Sequence, residues 1–444
     1  MELLQTGDGR VVKILYQKEI ELDQPLKLSL FVYPYETEEA VLLKNTLTRQ
    51  VCRLTNEEWD ALRTGRLPGE IQNKLLSLHY LVERDTDELA QYNMVLSVLR
   101  IMEKKEPGIV TYTVLPTTGC NARCIYCYEE GWQSRTMSLN TANAVVDFIC
   151  RTKRAGKIRL DWFGGEPLCG AGTISHICQS LKTRGVEYYS TIITNGTLFS
   201  QQLVEEAVEL WNLKRAQISM DGSRRDYESR KRFVDPERCN YETALCAVDQ
   251  LSARGVSVML RCNYDADNLP RVKEFFDDCK SRFGKRDNIS YYMEQLFQSD
   301  NAEGSASLFR TAAQVAKYLD ELGLPSTERI GKRLKIHYCM ADSGGQSVII
   351  DPDGGLHLCE HDIQGKPFGT VFNHCLAWPA ENTEIERECE SCCFLPECTP
   401  FRKSKCLLKI SACQDQMAVR TERALSSLLC RKNDGEYEAD SVQC

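Results

Sequence analysis

Strands and helices alternate six times between residues 107 and 322, and this alternation limits the folds open to the chain. Helical stretches, such as 141–152 and 241–254, separate the strand candidates. Six such units imply a parallel sheet, which when curled forms a partial (β/α)6 TIM-type barrel with its chemistry at the carboxyl ends of the strands. The strand candidates are Ile109–Leu115, Ile158–Phe163, Tyr188–Ile193, Ala216–Met220, Ser257–Asn263 and Ile289–Phe297.

The segments on either side of this alternation differ from it and from each other. Residues 27–36 and 41–54 read as strands with turns between them, and Thr55 with Glu58 forms a capping box for a short helix. The first segment is therefore a small α+β module. The last segment is irregular and rich in cysteine, with one helix expected near 414–430. We predict an α/β fold with three domains, at 1–106, 107–322 and 323–444.

The cysteine content indicates metal binding. The chain has 22 cysteines in 444 residues, and 11 of them lie between Cys339 and Cys444. A disulfide framework would require export, but the N-terminal sequence lacks a signal-peptide layout and no apolar run is long enough to span a bilayer. We therefore expect a cytoplasmic protein with no membrane partner. A net charge of −8 argues against a nucleic-acid partner.

Three of the cysteines form a compact motif directly after the first barrel strand. Cys120, Cys124 and Cys127 have C-x3-C-x2-C spacing. Three thiolates can hold three irons of a [4Fe–4S] cluster and leave the fourth iron open to a small molecule. A structural zinc site is the alternative, but such sites close with four ligands, and His176 is the only histidine in the predicted barrel.

Distinctive segments also follow the next four strands. They are Gly-Gly-Glu-Pro at 164–167, Thr-Asn-Gly-Thr at 194–197, Ser-Met-Asp-Gly at 219–222 and Arg-Cys-Asn at 261–263. Each alone is a weak signal, since such segments are common turns. On a barrel all of them would meet at one mouth with the cysteine motif. Cys169, two residues beyond Pro167, is also a candidate to approach this site.

The motifs at 120–127, 164–167, 194–197 and 219–222 together resemble those of radical S-adenosylmethionine (SAM) enzymes. The resemblance implies a [4Fe–4S] cluster whose open iron is chelated by the amino and carboxylate groups of SAM. One-electron reduction then yields methionine and a 5′-deoxyadenosyl radical, which abstracts a hydrogen atom from the substrate. The implied site residues are the cluster ligands Cys120, Cys124 and Cys127, and the SAM-binding residues Tyr126, Gly164, Gly165, Glu166, Pro167, Asn195, Ser219, Arg230 and Arg261.

Several of these residues have a specific expected role. Gly164 and Gly165 would let the backbone approach SAM closely, and Glu166 would accept hydrogen bonds from the SAM ammonium group. Tyr126 occupies the family's aromatic position near the adenine. Asn195 and Ser219 are candidates to bind hydroxyl and carboxylate groups, and Arg230 or Arg261 would balance the SAM carboxylate.

The tail resembles the SPASM extension of radical SAM peptide-modifying enzymes. Its pattern is Cys339-x14-Gly354-x4-Cys359, a gap, and Cys389-x2-Cys392-x5-Cys398. The resemblance implies two auxiliary [4Fe–4S] clusters, and hence three clusters in all. The outer cluster would take Cys389, Cys392, Cys398 and Cys413, and the inner cluster Cys339, Cys359 and Cys406.

The tail also departs from the SPASM pattern. Arg402 stands where the family often has a cysteine, so Cys406 must substitute for it. A fourth inner ligand is not evident: either Cys375 or Cys393 closes that cluster, or one iron is open and could hold a substrate thiolate. Zinc ribbons are the alternative for this region, since thiolates suit both metals.

These resemblances imply maturation of a ribosomally made peptide. The first module is similar in topology to the winged-helix domains that capture a leader peptide as an added strand. We hypothesise a maturase that forms Cys thioether cross-links, with Glu360 as a further catalytic candidate and a flavodoxin- or ferredoxin-type protein as reductant. The alternatives are carbon–carbon cross-linking, formylglycine formation on a sulfatase, and a non-catalytic, metal-stapled binding or electron-transfer protein.

Overall fold

The structure is a computed structural model that describes most of the chain. The described residues are 1–15, 25–103, 108–296, 302–325, 331–336, 345–373, 376–379, 385, 387–398 and 413–433. Close contacts group the chain into two compact units. The first consists of residues 1–105, 328–338 and 382–444, and the second of residues 106–327 and 339–381.

The second unit is built on a nine-stranded sheet, counted over the described residues. Its strands run in the order β12-β11-β10-β9-β8-β7-β13-β14-β15, and all neighbours from β12 to β13 are parallel. The last two strands add on antiparallel. The bounds are β7 Thr111–Thr117, β8 Ile158–Gly164, β9 Tyr188–Thr194, β10 Leu213–Met220, β11 Ser257–Tyr264, β12 Ile289–Gln295, β13 Ser347–Ile350, β14 Gly355–His357 and β15 Gly369–Thr370.

Helices follow the parallel strands, and polar caps fix where several of them begin. The side chains of Ser138, Ser200 and Asn240 each accept a hydrogen bond from a backbone N–H of the first turn. Apolar helix faces pack on the sheet around buried side chains that include Trp162 and Trp211. The helices are α5 Leu139–Thr152, α6 Ala171–Thr183, α7 Gln201–Glu209, α8 Arg224–Lys231, α9 Tyr241–Ala253, α10 Val272–Phe283 and α11 Ala302–Glu321.

The predicted α/β fold with six successive parallel strands is confirmed. All six strands lie within a few residues of their expected positions, and the segment from Gln295 to Phe297 is described only as far as Leu296. Because parallel strands align their carboxyl ends, the five motif segments come to one edge of the sheet.

The first unit contains a four-stranded antiparallel sheet, in the order β1-β5-β4-β3, and a two-stranded sheet of β2 and β6. The helix at Cys413–Asn433 packs on this sheet, where Leu425 meets Leu42, and Tyr33 donates a hydrogen bond to Glu422. The bounds are β1 Glu2–Gln5, α1 Gly9–Ile14, β2 Leu26–Leu28, β3 Val32–Glu36, β4 Val41–Asn45, β5 Val51–Leu54, α2 Asn56–Arg63, α3 Gly69–Ser77, β6 Leu81–Glu83, α4 Glu88–Glu103 and α12 Cys413–Asn433.

Two local predictions for this unit can be compared with the structure. The capping box of Thr55 and Glu58 is confirmed. The prediction of strands with turns between them at 27–36 and 41–54 is confirmed, because β2 and β3 occupy the first stretch and β4 and β5 the second. The break between β2 and β3 has a physical cause. Glu88 accepts a hydrogen bond from the Leu30 N–H (2.9 Å), which keeps this group out of a ladder, and a second one from the Ser29 hydroxyl (2.5 Å).

The cysteine-rich tail is shared between the two units. Residues 339–381 group with the parallel sheet and residues 382–444 with the N-terminal sheet. The division into three consecutive domains, the winged-helix comparison and the SPASM assignment all stay predictions. Within the described ranges, none of the helices combines the length and hydropathy that crossing a bilayer requires.

Candidate functional site at the carboxyl edge of the parallel sheet

The three cysteines of the first motif lie on one loop that leaves the end of β7. Cys120, Cys124 and Cys127 are all partly exposed. Burial raises the pKa of each thiol, to about 12 for Cys120, and the Cys124 thiol lies close enough to raise the pKa of the other two further. The Ala122 N–H donates to the Cys120 sulfur at 3.4 Å.

This donor set fits an iron–sulfur cluster. Among the described residues, no three His, Cys, Asp or Glu side chains are gathered into a group that could hold a single metal ion. A cubane cluster does not need such convergence, because each thiolate binds a different iron. Three partly exposed thiols on one loop, with a backbone N–H directed at one sulfur, match that requirement.

The Gly-Gly pair after β8 lies directly against the base of the cysteine loop. A Cβ atom on Gly164 would stand 2.2 Å from the Thr117 carbonyl oxygen, and one on Gly165 would stand 2.5 Å from that of Thr118 and 2.6 Å from that of Gly119. Gly164 also has a φ of 125°, which other residues rarely adopt. Glycine is therefore required at both positions because the two backbones are in close contact. From the sequence, these glycines were expected only to let the backbone approach SAM.

Glu166 ties two strand ends together from a fully buried position. Its carboxylate accepts hydrogen bonds from the Thr194 hydroxyl (2.6 Å), the Asn195 N–H (2.8 Å) and the Leu168 N–H (3.1 Å). Burial raises the pKa of Glu166, and the three donors oppose that rise. Since two carboxylate oxygens offer about four acceptor positions, room remains for one further donor. Pro167 follows as the first residue of a buried 3-10 turn.

Asn195 connects β9 to the cysteine loop. Its side-chain NH2 group donates to the side-chain oxygen Oδ1 of Asn121 at 2.8 Å, and its own Oδ1 accepts from the Thr197 N–H (3.0 Å) and hydroxyl (2.7 Å). The Asn121 side chain in turn donates to Thr197 at 3.0 Å. The residues of the second and third motifs thus support the loop that carries the thiols.

Tyr126 reaches into a buried polar network below the thiols. Its hydroxyl lies 2.6 Å from both carboxylate oxygens of Asp221, which also accepts from the Asn263 amide at 3.2 Å. The Lys231 ammonium is 3.7 Å from Asp221 and 5.7 Å from the centre of the Tyr126 ring. Burial lowers the pKa of Lys231, but Asp221 and Cys124 raise it by more, so the side chain carries a positive charge.

The two candidate arginines have different surroundings. Arg230 is buried and bound to Asp265 at 2.5 Å, with Asp267 at 3.6 Å, so its charge is already balanced. Arg261 is half-buried on β11, where it pairs in register with Ser219 of β10. The Nε atoms of both arginines lack a hydrogen-bond partner in the described part of the chain, but only Arg230 has a carboxylate bound to its guanidinium group. Of the two, Arg261 is the better placed to bind an anionic group.

Glu360 lies near the same edge of the sheet, on a short 3-10 turn that begins after Cys359. Its carboxylate is 4.0 Å from the His361 ring nitrogen, and the His361 ring contacts the Tyr128 ring at a centroid distance of 4.6 Å. Burial and the charge of Arg261 lower the pKa of His361, and Glu360 opposes the shift. Tyr128 directly follows Cys127, so this contact brings the Cys359 turn to the thiol loop.

A cavity of about 590 Å³ lies against the outer side of the thiol loop. Cys120, Asn121, Cys169 and Cys239 are among the residues that line it. The Asn121 backbone lowers the pKa of Cys169 by hydrogen bonding, but burial outweighs it and raises that pKa to about 11. The prediction that Cys169 approaches the site agrees with this position.

The other tail cysteines lie in the first unit or outside the described residues. Cys389, Cys392 and Cys398 are partly buried. Cys389 ends one 3-10 turn, Cys398 directly follows the next, and Cys392 lies between the two turns. Cys339 and Cys406 lie outside the described residues, and Cys413 begins α12 with its side chain not described. The two auxiliary clusters therefore stay predictions.

Sequence reasoning missed three residues that shape the site: Asn121, Asp221 as the partner of Tyr126, and Lys231. Asn121 lies inside the first motif and Asp221 inside the fourth, so their positions were available as a signal. The sequence carries no such signal for Lys231. It belongs to the charged run Arg230-Lys231-Arg232, and such a run is typical of a solvent-exposed helix end. Only the fold reveals that Lys231 is 4% exposed.

Comparison with known proteins agrees with this geometry. The family model described as the radical SAM superfamily matches residues 114–276. A probable GTP 3',8-cyclase of Methanothermobacter thermautotrophicus is 29% identical over 274 residues, which cover 59% of this chain and 82% of that protein.

Two solved structures have a similar fold. The structure of anSMEcpe with bound AdoMet and the Cp18Cys peptide matches with a TM-score of 0.56 at 16% identity, over 73% of this chain and 100% of that one. Streptococcus suis SuiB bound to the precursor peptide SuiA matches with a TM-score of 0.50 at 13% identity, over 88% and 100%. At these identities the likeness concerns the fold. With its thiol loop at the end of the first parallel strand and the family match over 114–276, the chain carries a radical SAM domain.

Proposed function

We propose that this radical SAM enzyme modifies a ribosomally synthesised precursor peptide and forms Cys thioether cross-links in it. The observation that carries the proposal is the fold likeness to anSMEcpe and SuiB, both solved with peptides, over 73% and 88% of this chain. The likeness to SuiB extends well beyond the 114–276 segment. The radical SAM family implies SAM and a [4Fe–4S] cluster, held here by Cys120, Cys124 and Cys127.

The surroundings of the thiol loop support SAM binding beside it. Arg261 offers a guanidinium group whose Nε has no hydrogen-bond partner among the described residues, and Ser219 stands next to it in register. Both side chains can bind a carboxylate. The guanidinium group can donate two parallel hydrogen bonds to the two carboxylate oxygens, and the serine hydroxyl can donate a further one. Glu166 has acceptor capacity for an ammonium group, although its three present bonds also make it a structural tie.

Glu360 supports the chemistry proposed for the peptide. When bound, SAM and a reduced cluster would supply the radical that takes one hydrogen atom from the acceptor carbon, and the predicted auxiliary clusters would accept the electron released as the carbon–sulfur bond forms. The peptide thiol must also lose its proton. Glu360 is partly exposed beside Tyr128 and His361, where its carboxylate can take that proton. Each link then removes two hydrogen atoms from the peptide.

The test is incubation of the reduced enzyme with SAM and synthetic peptides for the short Cys-containing reading frames sought next to its gene. Mass spectrometry should show the loss of two hydrogens per link, with alkylation showing that the cysteine is blocked. Glu360→Gln should keep deoxyadenosine formation and lower cross-linking at least tenfold, whereas the neighbouring Asp362→Asn should match wild type. Deoxyadenosine without any change in peptide mass, in the wild-type enzyme, would contradict the proposal.

A nucleotide cyclase is the second candidate, favoured by the relative named as a probable GTP 3',8-cyclase. That match leaves about two fifths of this chain uncovered, in agreement with a different substrate. Incubation of the same reduced enzyme with GTP and SAM separates the two candidates. Conversion of GTP with no effect on the peptide would favour the cyclase.

A further inference from the structure

A buried ammonium group lies directly below the thiol loop. Lys231 is the last residue of α8, and its side chain is only 5% exposed. The main chain around it is fastened to the loop, because the Arg123 N–H donates to the Lys231 carbonyl and the Ile125 N–H to the Arg230 carbonyl, both at 3.0 Å. These two bonds lie on either side of Cys124 and hold the end of α8 against it.

The charges around this lysine are unevenly distributed. Arg230 is neutralised by Asp265 at 2.5 Å. The charge of Asp221 is shared with the Tyr126 hydroxyl and the Asn263 amide, and the Lys231 ammonium stands 3.7 Å away, beyond hydrogen-bond distance. No hydrogen bond therefore closes the pair of Lys231 and Asp221.

The lysine side chain also lies against the thiol loop itself. The Lys231 ammonium is 5.7 Å from the centre of the Tyr126 ring, and Tyr126 stands between Cys124 and Cys127 in the sequence. The buried positive charge is therefore held beside the segment that carries these two thiols.

We propose that Lys231 is a positioning residue that raises the reduction potential of the cluster held by Cys120, Cys124 and Cys127, and that Asp221 opposes it. This inference rests on the cluster in the proposed function. One-electron reduction adds a negative charge to the cluster, and a nearby buried cation stabilises that charge strongly because the surroundings screen it little. Cluster potentials depend on such charges and on burial.

The experiment is a redox titration followed by electron paramagnetic resonance on anaerobically reconstituted protein, without SAM or peptide. Lys231→Met should lower the ratio of reduced to oxidised cluster at a fixed potential by about tenfold, equal to 59 mV for one electron. Lys231→Arg keeps the charge and should match wild type. Asp221→Asn should shift the ratio in the opposite direction. Lys273→Met, which removes an exposed lysine from α10 of the same unit, is the control and should have no effect.

If Lys231→Met fails to fold or to bind iron, a second pair of variants still tests the inference. The double variant Lys231→Met/Asp221→Asn removes both buried charges, so neither is left unpaired. Its cluster should be harder to reduce than that of Asp221→Asn alone. Equal potentials in these two proteins, or an unchanged potential in an iron-loaded Lys231→Met, would overturn the inference and leave the proposed function standing. Wild-type protein that binds no iron would overturn both.

Discussion

Replacing Gly165 with alanine tests whether backbone contact positions the thiol loop. The new methyl group would lie 2.5 and 2.6 Å from the carbonyl oxygens of Thr118 and Gly119, where an ordinary contact is 3.4 Å or more. Backbone atoms on both sides cannot rotate away as a flexible side chain would. An overpacked contact of this kind costs about 1–3 kcal/mol, and the strain falls on the residues just before Cys120.

The expected result is a lower free energy of unfolding by about that amount, together with reduced iron content after reconstitution. Urea denaturation followed by tryptophan fluorescence is suitable, because four of the five tryptophans belong to residues 106–327 and 339–381. Gly172→Ala is a matched control: no atom lies within 4 Å of the added Cβ, and alanine favours the helix by about 1 kcal/mol. If Gly165→Ala has wild-type stability and iron content, the reasoning about this contact is refuted.

Two further predictions concern buried ion pairs. Lys44→Met removes the ammonium group that donates to Glu397 at 2.8 Å. The free energy of unfolding of the first unit should therefore fall by about 1–3 kcal/mol, and its 387–398 segment should become more sensitive to protease. The control Lys74→Met, at an exposed site on α3, should change neither property. For Asp265, burial raises the pKa but pairing with buried Arg230 lowers it by more, to below 3.8. The pair therefore stabilises the fold fully above pH 3.8 and loses this contribution as the pH falls through the folded-state pKa. The stability difference between wild type and Asp265→Asn should vanish in strong acid, and a difference that persists there would contradict the pairing.

The parallel sheet could be predicted because its strands appear in the sequence as short runs rich in apolar and β-branched residues, separated by amphipathic helices. The convergence of the motif segments followed from that topology. Individual contacts could not be predicted: Glu166 was expected to face SAM, but three of its acceptor positions are used by Leu168, Thr194 and Asn195. A motif identifies a residue, whereas its hydrogen-bond partners depend on the exact approach of neighbouring strands.

The other differences have similar causes. The break between β2 and β3 depends on Glu88, more than fifty residues away in sequence, and no local pattern carries that information. The burial of Lys231 depends on the αL conformation of Arg232, which ends α8 and turns the chain onto the thiol loop. The inner auxiliary cluster cannot be compared, because Cys339 and Cys406 lie outside the described residues.

The most direct test of the radical SAM assignment is the cleavage of SAM by the reduced protein. Wild-type protein, reconstituted with iron and sulfide and reduced with dithionite, should convert SAM to 5′-deoxyadenosine and methionine, measured by chromatography. Cys124→Ala should form none while keeping the wild-type circular dichroism spectrum. Equal 5′-deoxyadenosine formation by the two proteins, or none by an iron-loaded wild type, would contradict the account.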